Sequence, residues 1–318
     1  MTPSLHHRNK WLGAAVGAAL VTAVGFAGQA MAADALVDAA WAKANAGKPG
    51  VVFLDTRPQV AYLRGHIPGA VHTDYDKDGW RVKKGQAMGQ LPDDPTVIGK
   101  LIGKLGIDNA THVVLVSPGN NATDMGMATR LFWTFKLLGD DNISVLNGGM
   151  KAYLAAVDKQ GKPINPLATG PAKITAKDFK VTLRKEMLAT RGQVKKAMDS
   201  GVTLIDNRPS DQYLGVNQAP VDSKAGTIPH AHSMPENWLT KNDGGTFRTK
   251  EELAKLYKAA GLSTSGEQIN FCNTGHWASL GWFASTQILG NKDAKLYAGS
   301  MSDWTHANMP VERKIDEK

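Results

Sequence analysis

The chemistry in this chain is concentrated in six consecutive residues, Cys272-Asn273-Thr274-Gly275-His276-Trp277, headed by the only cysteine among 318 residues. Gln268 to Phe271 before them reads as a short buried strand, and Ala278 to Leu289 after them as a helix closed by Gly290. A cysteine where a strand hands over to a helix lies among successive backbone N–H groups and near the positive end of the helix, and both favour an anion. The expectation is a thiol pKa lowered into the range of roughly 3.5–7.5 reached in such surroundings, against about 8.5 for free cysteine, and hence a thiolate nucleophile at neutral pH. Gly275 would let the backbone approach the sulfur closely. The competing reading is a small buried hydrophobe.

Compartment bears on that choice. Residues 1–32 have the makeup of an export signal: Arg8 and Lys10 without an acid, an apolar, glycine-punctuated run from Trp11 to Ala27, and small residues at Ala30-Met31-Ala32. Cleavage before Ala33 is expected, giving a periplasmic or secreted protein, with a retained membrane anchor as the alternative. No later stretch is long and apolar enough to span a bilayer, so no stable membrane insertion is expected after cleavage. One cysteine cannot form a disulfide within the chain, and a lone thiol in an oxidising compartment is a liability unless it is used. The net charge of +8 falls to +6 without Arg8 and Lys10 and is dispersed. Lys83-Lys84 and Lys195-Lys196 are its densest spots; neither is interleaved with aromatics, which argues against a nucleic-acid partner. A mild positive field suits small anionic substrates.

The elements that must position Cys272 repeat. Val51 to Leu54, His112 to Val116 and Ile143 to Leu146 read as buried strands alternating with helical stretches, which points to a doubly wound parallel sheet. Asp94-Pro95 reads as the start of one helix, and Thr249 with Glu252 as a capping box for another. Residues 159–178 begin with a Pro- and Gly-broken stretch and read as a linker between a domain over 33–158 and a second over 179–318. Asp55 and Asp206, Arg57 and Arg208, Tyr62 and Tyr213, and Gly139 and Gly290 are each 151 positions apart, an internal duplication. At the local offset Cys272 falls on Ser117, so one copy alone carries a thiol.

These motifs resemble the rhodanese family of sulfurtransferases. In the first half the likeness rests on Asp55-x-Arg57, Gly65-His66-Ile67-Pro68-Gly69-Ala70 and Val145-Leu146-Asn147-Gly148-Gly149. In the second it rests on Asp206-x-Arg208, Tyr213-Leu214-Gly215, the six-residue loop and Leu296-Tyr297-Ala298-Gly299-Ser300. The resemblance implies two tandem rhodanese-like α/β domains, each a doubly wound parallel sheet flanked by helices, the first without its cysteine. It further implies that Cys272 takes a sulfane sulfur from thiosulfate, a polysulfide or a persulfide, holds it as a persulfide, and yields it to a thiol or cyanide, with no cofactor. The donor would be held by Asn273, Thr274, Gly275, His276, Trp277, Arg208 and Gln212, although Arg208 with Asp206 reads first as a pair fixing the strand end. Thr274 and Gln212 stand where thiosulfate-using members tend to carry cations, so the pocket is expected to be poor in positive charge, with a protonated His276 as one substitute. His230 and His232 with Cys272 form an alternative, soft-metal set, so a thiol- or metal-binding module and a non-catalytic sulfur carrier stand beside the enzyme.

Overall fold

Short apolar runs alternating with helical segments build two parallel sheets joined by an extended stretch. The computed structural model describes residues 1–2 and 33–316; the leader expected over residues 1–32 lies, its first two residues apart, outside the described residues. The first half runs β1 (Leu36–Val37), α1 (Ala39–Asn45), β2 (Val51–Asp55), α2 (Gln59–Arg64), β3 (Ala70–His72), the hairpin strands β4 (Val82–Lys84) and β5 (Ala87–Gln90), α3 (Thr96–Lys104), β6 (His112–Val116), α4 (Ala122–Leu137), β7 (Ile143–Leu146) and α5 (Gly149–Leu154). Its sheet has the order β1-β7-β6-β2-β3 with every pairing parallel. The second half runs α6 (Arg191–Ser200), β8 (Thr203–Asp206), α7 (Ser210–Leu214), β9 (His232–Ser233), α8 (Lys250–Ala259), β10 (Gln268–Phe271), α9 (Trp277–Phe283), β11 (Ala294–Leu296) and α10 (Ser300–His306). Its order is β11-β10-β8-β9, again parallel, and Leu188 bridges Leu296 where the first half places β1.

The duplication is visible in hydrogen bonds. Arg57 grips Asp55 and donates to the Gly65 carbonyl; Arg208 grips Asp206 and donates to that of Gly226. The Tyr62 hydroxyl donates to Ala70 O at 2.9 Å and that of Tyr213 to Ala231 O at 3.0 Å. Thr249 and Glu252 form the expected capping box, whereas α3 starts at Thr96, whose N–H is taken by Asp94.

The stretch read as a linker is docked on the first half rather than running free. Ala168 N donates to His66 O at 2.8 Å and Lys177 N to Gly103 O at 2.9 Å, and just past its end Thr182 N donates to Leu138 O at 2.8 Å. Gly103 admits this strap, since a Cβ there would lie 2.3 Å from the Lys177 carbonyl oxygen.

Between the halves, α4 packs against α9. From Met125 to Leu137 every residue of α4 except Met127 and Lys136 is buried, which explains why its sequence shows no polar face: one side meets its own sheet and the other meets the second half. Phe132 meets Phe283 edge-on with ring centroids 4.9 Å apart, a geometry contributing roughly 0.5–1.5 kcal/mol beyond area burial. Thr129 and Ser279 join hydroxyls across the same contact at 2.7 Å. The expected helix after Cys272 is α9 continued by one π turn over Ala284–Ile288, and Gly290 leaves it at φ +88.

Candidate active site

β10 ends at Phe271 and α9 begins at Trp277, so the loop between them, with Cys272 first, sits at the C-terminal edge of the second sheet. Cys272 is 1% exposed. Its carbonyl accepts from Met301 N at 2.9 Å, and its N–H donates to Ser300 Oγ at 3.0 Å. Ser300 holds φ +52, while Gly149, its counterpart 151 positions earlier, holds φ +59. Non-glycine residues adopt such backbone at a cost, and here the serine hydroxyl anchors the nucleophile's own amide. The first copy keeps the analogous Met150 N to Ser117 O bond, but Ser117 is enclosed and donates to Met125 Sδ at 3.2 Å.

The N–H groups of Ala278, Thr274 and Gly275 favour the anion of the Cys272 sulfur, whereas the Ser300 hydroxyl gives its proton to the Tyr297 carbonyl at 2.8 Å while accepting from the Cys272 N–H. Burial weighs more, and pushes the thiol above its ordinary range. The expected depression of this pKa is therefore overturned: removing the sulfur from water penalises the thiolate more than these donors compensate.

The thiol opens onto a cleft of about 390 Å³ between the halves. The loop contributes Asn273, Thr274, His276 and Trp277; the excursion between β3 and β4 contributes Tyr75, Asp76 and Arg81; α4 contributes Thr123 and Met127. That excursion is held by Trp80, whose Nε1 donates to Thr73 Oγ1 at 2.8 Å, and the hairpin that follows it is tied to α10 by Met88 N on β5 donating to Ser302 Oγ at 3.1 Å. Arg81 pairs with Asp76 at 2.7 Å and lies over the Tyr75 ring at 4.2 Å. The cleft thus has a cation that the sequence reading did not find, supplied by the copy without the cysteine.

Two expected donor contacts lie elsewhere. The Arg208 side chain is 1% exposed, donates to Asp206 at 2.6 Å and to Gly226 O at 2.8 Å, and lies 3.6 Å from Asp222. A guanidinium so matched is a strand-end fixture and offers no free anion site, as the structural reading of the pair anticipated. Gln212 Oε1 accepts from Asn273 Nδ2 at 2.9 Å, so it orients the loop and does not line the cleft. Gly275, at φ +73, faces away from the cleft: a Cβ there would sit 2.3 Å from Arg130 Nη1.

His276 is not a cation. Its Nε2 meets the Thr123 carbonyl at 2.9 Å and its Nδ1 the Tyr75 hydroxyl at 2.9 Å. A carbonyl only accepts, so Nε2 carries the proton and Nδ1 accepts from the phenol. Burial, helped by Arg81, lowers the imidazole pKa well below its usual range, and the ring is neutral at pH 7. With both nitrogens engaged it does not join a metal set. His230 occupies the positive-φ position of Gly69, at φ +66 against +82, and among the described residues no group of three or more His, Cys, Asp or Glu side chains is placed to hold a metal.

Comparisons with known proteins accord with this architecture. A 281-residue alignment shows 34% identity to the "Putative thiosulfate sulfurtransferase" of Mycobacterium tuberculosis (strain ATCC 25618 / H37Rv), covering 85% of this chain and 94% of that one. The protein of that name from Saccharopolyspora erythraea is 30% identical over 294 residues, covering 89% and 98%. Among solved structures, SseA from Escherichia coli, described as a 3-mercaptopyruvate sulfotransferase with the rhodanese fold, superposes with a TM-score of 0.71 at 23% identity, covering 84% of this chain and 99% of that one. The model of the rhodanese-like domain matches twice, over residues 38–156 and 190–307, and the chain belongs to the rhodanese-like family.

Proposed function

We propose that this protein is a sulfurtransferase that carries a sulfane sulfur on Cys272 from a donor to a nucleophilic acceptor. Its curated relatives bear that name, and its second copy keeps the one thiol. The observation that carries the reading is a cysteine at the base of a cleft whose anion is favoured by two loop N–H groups, of Thr274 and Gly275, and by that of Ala278 in the first turn of α9. The Cys272 thiolate attacks the outer sulfur of the donor; a new S–S bond forms as the donor's S–S bond breaks, and the electron pair leaves on sulfite or on a thiolate. A cyanide or thiolate acceptor then attacks the outer persulfide sulfur, and Cys272 departs as thiolate. Loop N–H groups support the anionic sulfur at each stage.

Arg81 faces the anionic end of the donor, while Met127, Trp277 and Val221 flank the path with apolar surface. One cation, already shared with Asp76 on the same wall of the cleft, favours singly charged polysulfides or organic persulfides over dianionic thiosulfate, which has two charges to desolvate. Domain limits of 33–158 and 179–318 and export with cleavage before Ala33, placing the enzyme in the periplasm or outside the cell, belong to the same proposal. They rest on the duplication and on the composition of residues 1–32.

Intact mass of the purified protein before and after a panel of sulfane-sulfur donors tests the function. One added sulfur on the wild type and none on Cys272→Ser is the expected result; no addition with any donor would overturn it. N-terminal sequencing of protein recovered from its host tests export: a start at Ala33 is expected, and retention of Trp11 would contradict it.

A further inference from the structure

Behind the Cys272 loop lies a cation that the sulfur-transfer scheme does not use. Arg130, on α4 of the cysteine-less half, is fully buried. Its Nη2 donates to Gly89 O at 2.9 Å and its Nη1 to Thr274 O at 3.4 Å; its Nε has no partner among the described residues, and the guanidinium stands 5.0 Å from the Trp133 ring. Neither hydrogen bond goes to a carboxylate. A buried arginine is normally matched by an acid, as Arg57 and Arg208 are here, because an uncompensated charge in the interior is costly. The compensating anion for Arg130 is therefore to be sought among groups that acquire charge during the reaction.

The Thr274–Gly275 peptide supplies the geometry. A trans peptide directs its C=O and N–H in opposite directions. Its oxygen accepts from Arg130 Nη1, and its Gly275 N–H, directed the other way, is one of the groups that favour the Cys272 anion. Gly275 and Gly89 make the approach feasible: a Cβ on the first would meet Arg130 Nη1 at 2.3 Å, and one on the second would meet Thr274 O at 2.1 Å. The other charged or titratable groups around the sulfur are already balanced or neutral. Arg81 is paired with Asp76 in the cleft, Arg208 with Asp206 and Asp222 beside β8, and His276 and Tyr75 are neutral partners of one another.

We infer that Arg130 is a positioning residue for catalysis: it clamps the Thr274–Gly275 peptide so that the Gly275 N–H points at the sulfur, and it sets an unmatched positive charge behind the thiolate and the persulfide anion. The first copy thus supplies part of the electrostatics of the second copy's nucleophile. This rests on Cys272 being the nucleophile, and its test needs no sulfur donor. Iodoacetamide alkylation of Cys272 in the whole mature chain, followed by intact mass from pH 6 to pH 11, reports thiolate formation directly.

Arg130 and the Cys272 anion feel one another's charge, and an opposite charge within about 4–6 Å moves a pKa by roughly 1–3 units. In Arg130→Met the alkylation midpoint should accordingly rise by about one unit or more, and the rate at pH 8 should fall about tenfold or more. Arg130→Lys should restore most of that rate. Thermal unfolding establishes that each variant is folded, and Arg130→Gln serves if the methionine variant is not. A folded neutral variant with the wild-type midpoint overturns the proposal, and so does failure of both neutral variants to fold, which would make Arg130 purely structural. Failure of every donor to load wild-type Cys272 would instead strike the sulfurtransferase reading and leave the alkylation result standing.

Discussion

The Tyr75 hydroxyl donates to His276 Nδ1 at 2.9 Å, across 201 positions of sequence and from one half of the duplication to the other. Together with the His276 to Thr123 bond, it fixes the tautomer of a residue in the nucleophile's loop from two elements of the copy that has no nucleophile. In Tyr75→Phe, His276 Nδ1 loses its donor. A hydrogen bond contributes about 1 kcal/mol net, so kcat/KM should fall about fivefold and Tm by a few degrees, measurable by steady-state kinetics and thermal unfolding. Unchanged kinetics would mean that the loop holds its shape without the phenol.

Cys272→Ser should abolish sulfur transfer and leave the fold intact, because a hydroxyl is nearly isosteric but un-ionised at neutral pH. Ser117→Ala should leave turnover within about twofold, since Ser117 is enclosed and bonded to Met125. Turnover assays on both variants check this, and substantial activity in Cys272→Ser would remove the central assignment.

The pH dependence follows from burial of the thiol. Its pKa lies above the ordinary thiol range of about 8.5, so at pH 7 the nucleophilic form is a minor fraction, and that fraction grows about tenfold per pH unit until the pKa is reached. Sulfur uptake by wild-type Cys272 should climb from pH 6 to above pH 8.5. His276, held neutral throughout that range, should add no step near pH 6.5. A plateau already reached at pH 6 in a single-turnover profile would show that the loop donors outweigh desolvation.

Donor choice should depend on Arg81. Arg81→Met removes the cation that lines the cleft and should raise the KM for thiosulfate about tenfold, consistent with loss of one charge-assisted contact, with a smaller change in kcat. Conversely, Thr274→Lys, at a loop position that lines the cleft, should lower the thiosulfate KM by adding charge there. Kinetics with thiosulfate and with a neutral or singly charged polysulfide separate the two effects; equal changes for both donors would exclude an electrostatic origin.

Gly275→Ala tests the loop itself. The φ of +73 costs a side-chain-bearing residue roughly 1–2 kcal/mol, and the added Cβ would meet Arg130 Nη1 at 2.3 Å and Ala298 O at 2.6 Å. Relief requires moving the Thr274–Gly275 peptide, so activity should drop at least tenfold while far-UV circular dichroism is retained. Wild-type turnover would show that the N–H at this position is dispensable.

The local sequence carried a great deal of this. Buried strands read as short apolar runs because parallel strands are covered on both faces, and the repeat at 151 marked both copies because each rebuilds the same Asp–Arg pair and Tyr hydroxyl bond at its strand end. The place of Cys272 between β10 and α9 was legible for the same reason. Even Ser300 left a trace, since it stands at the 151 offset from Gly149 in a backbone conformation that favours glycine.

What the tertiary structure alone decided concerns contacts between residues far apart in sequence. Tyr75, Arg81, Met127 and Arg130 carry no local pattern pointing to Cys272; they reach it because α4 packs on α9 and the excursion after β3 folds over the loop. The sign of the Cys272 pKa shift was equally out of reach, because the loop donors are a local feature while burial depends on how the whole chain packs around the sulfur, and here burial outweighs them.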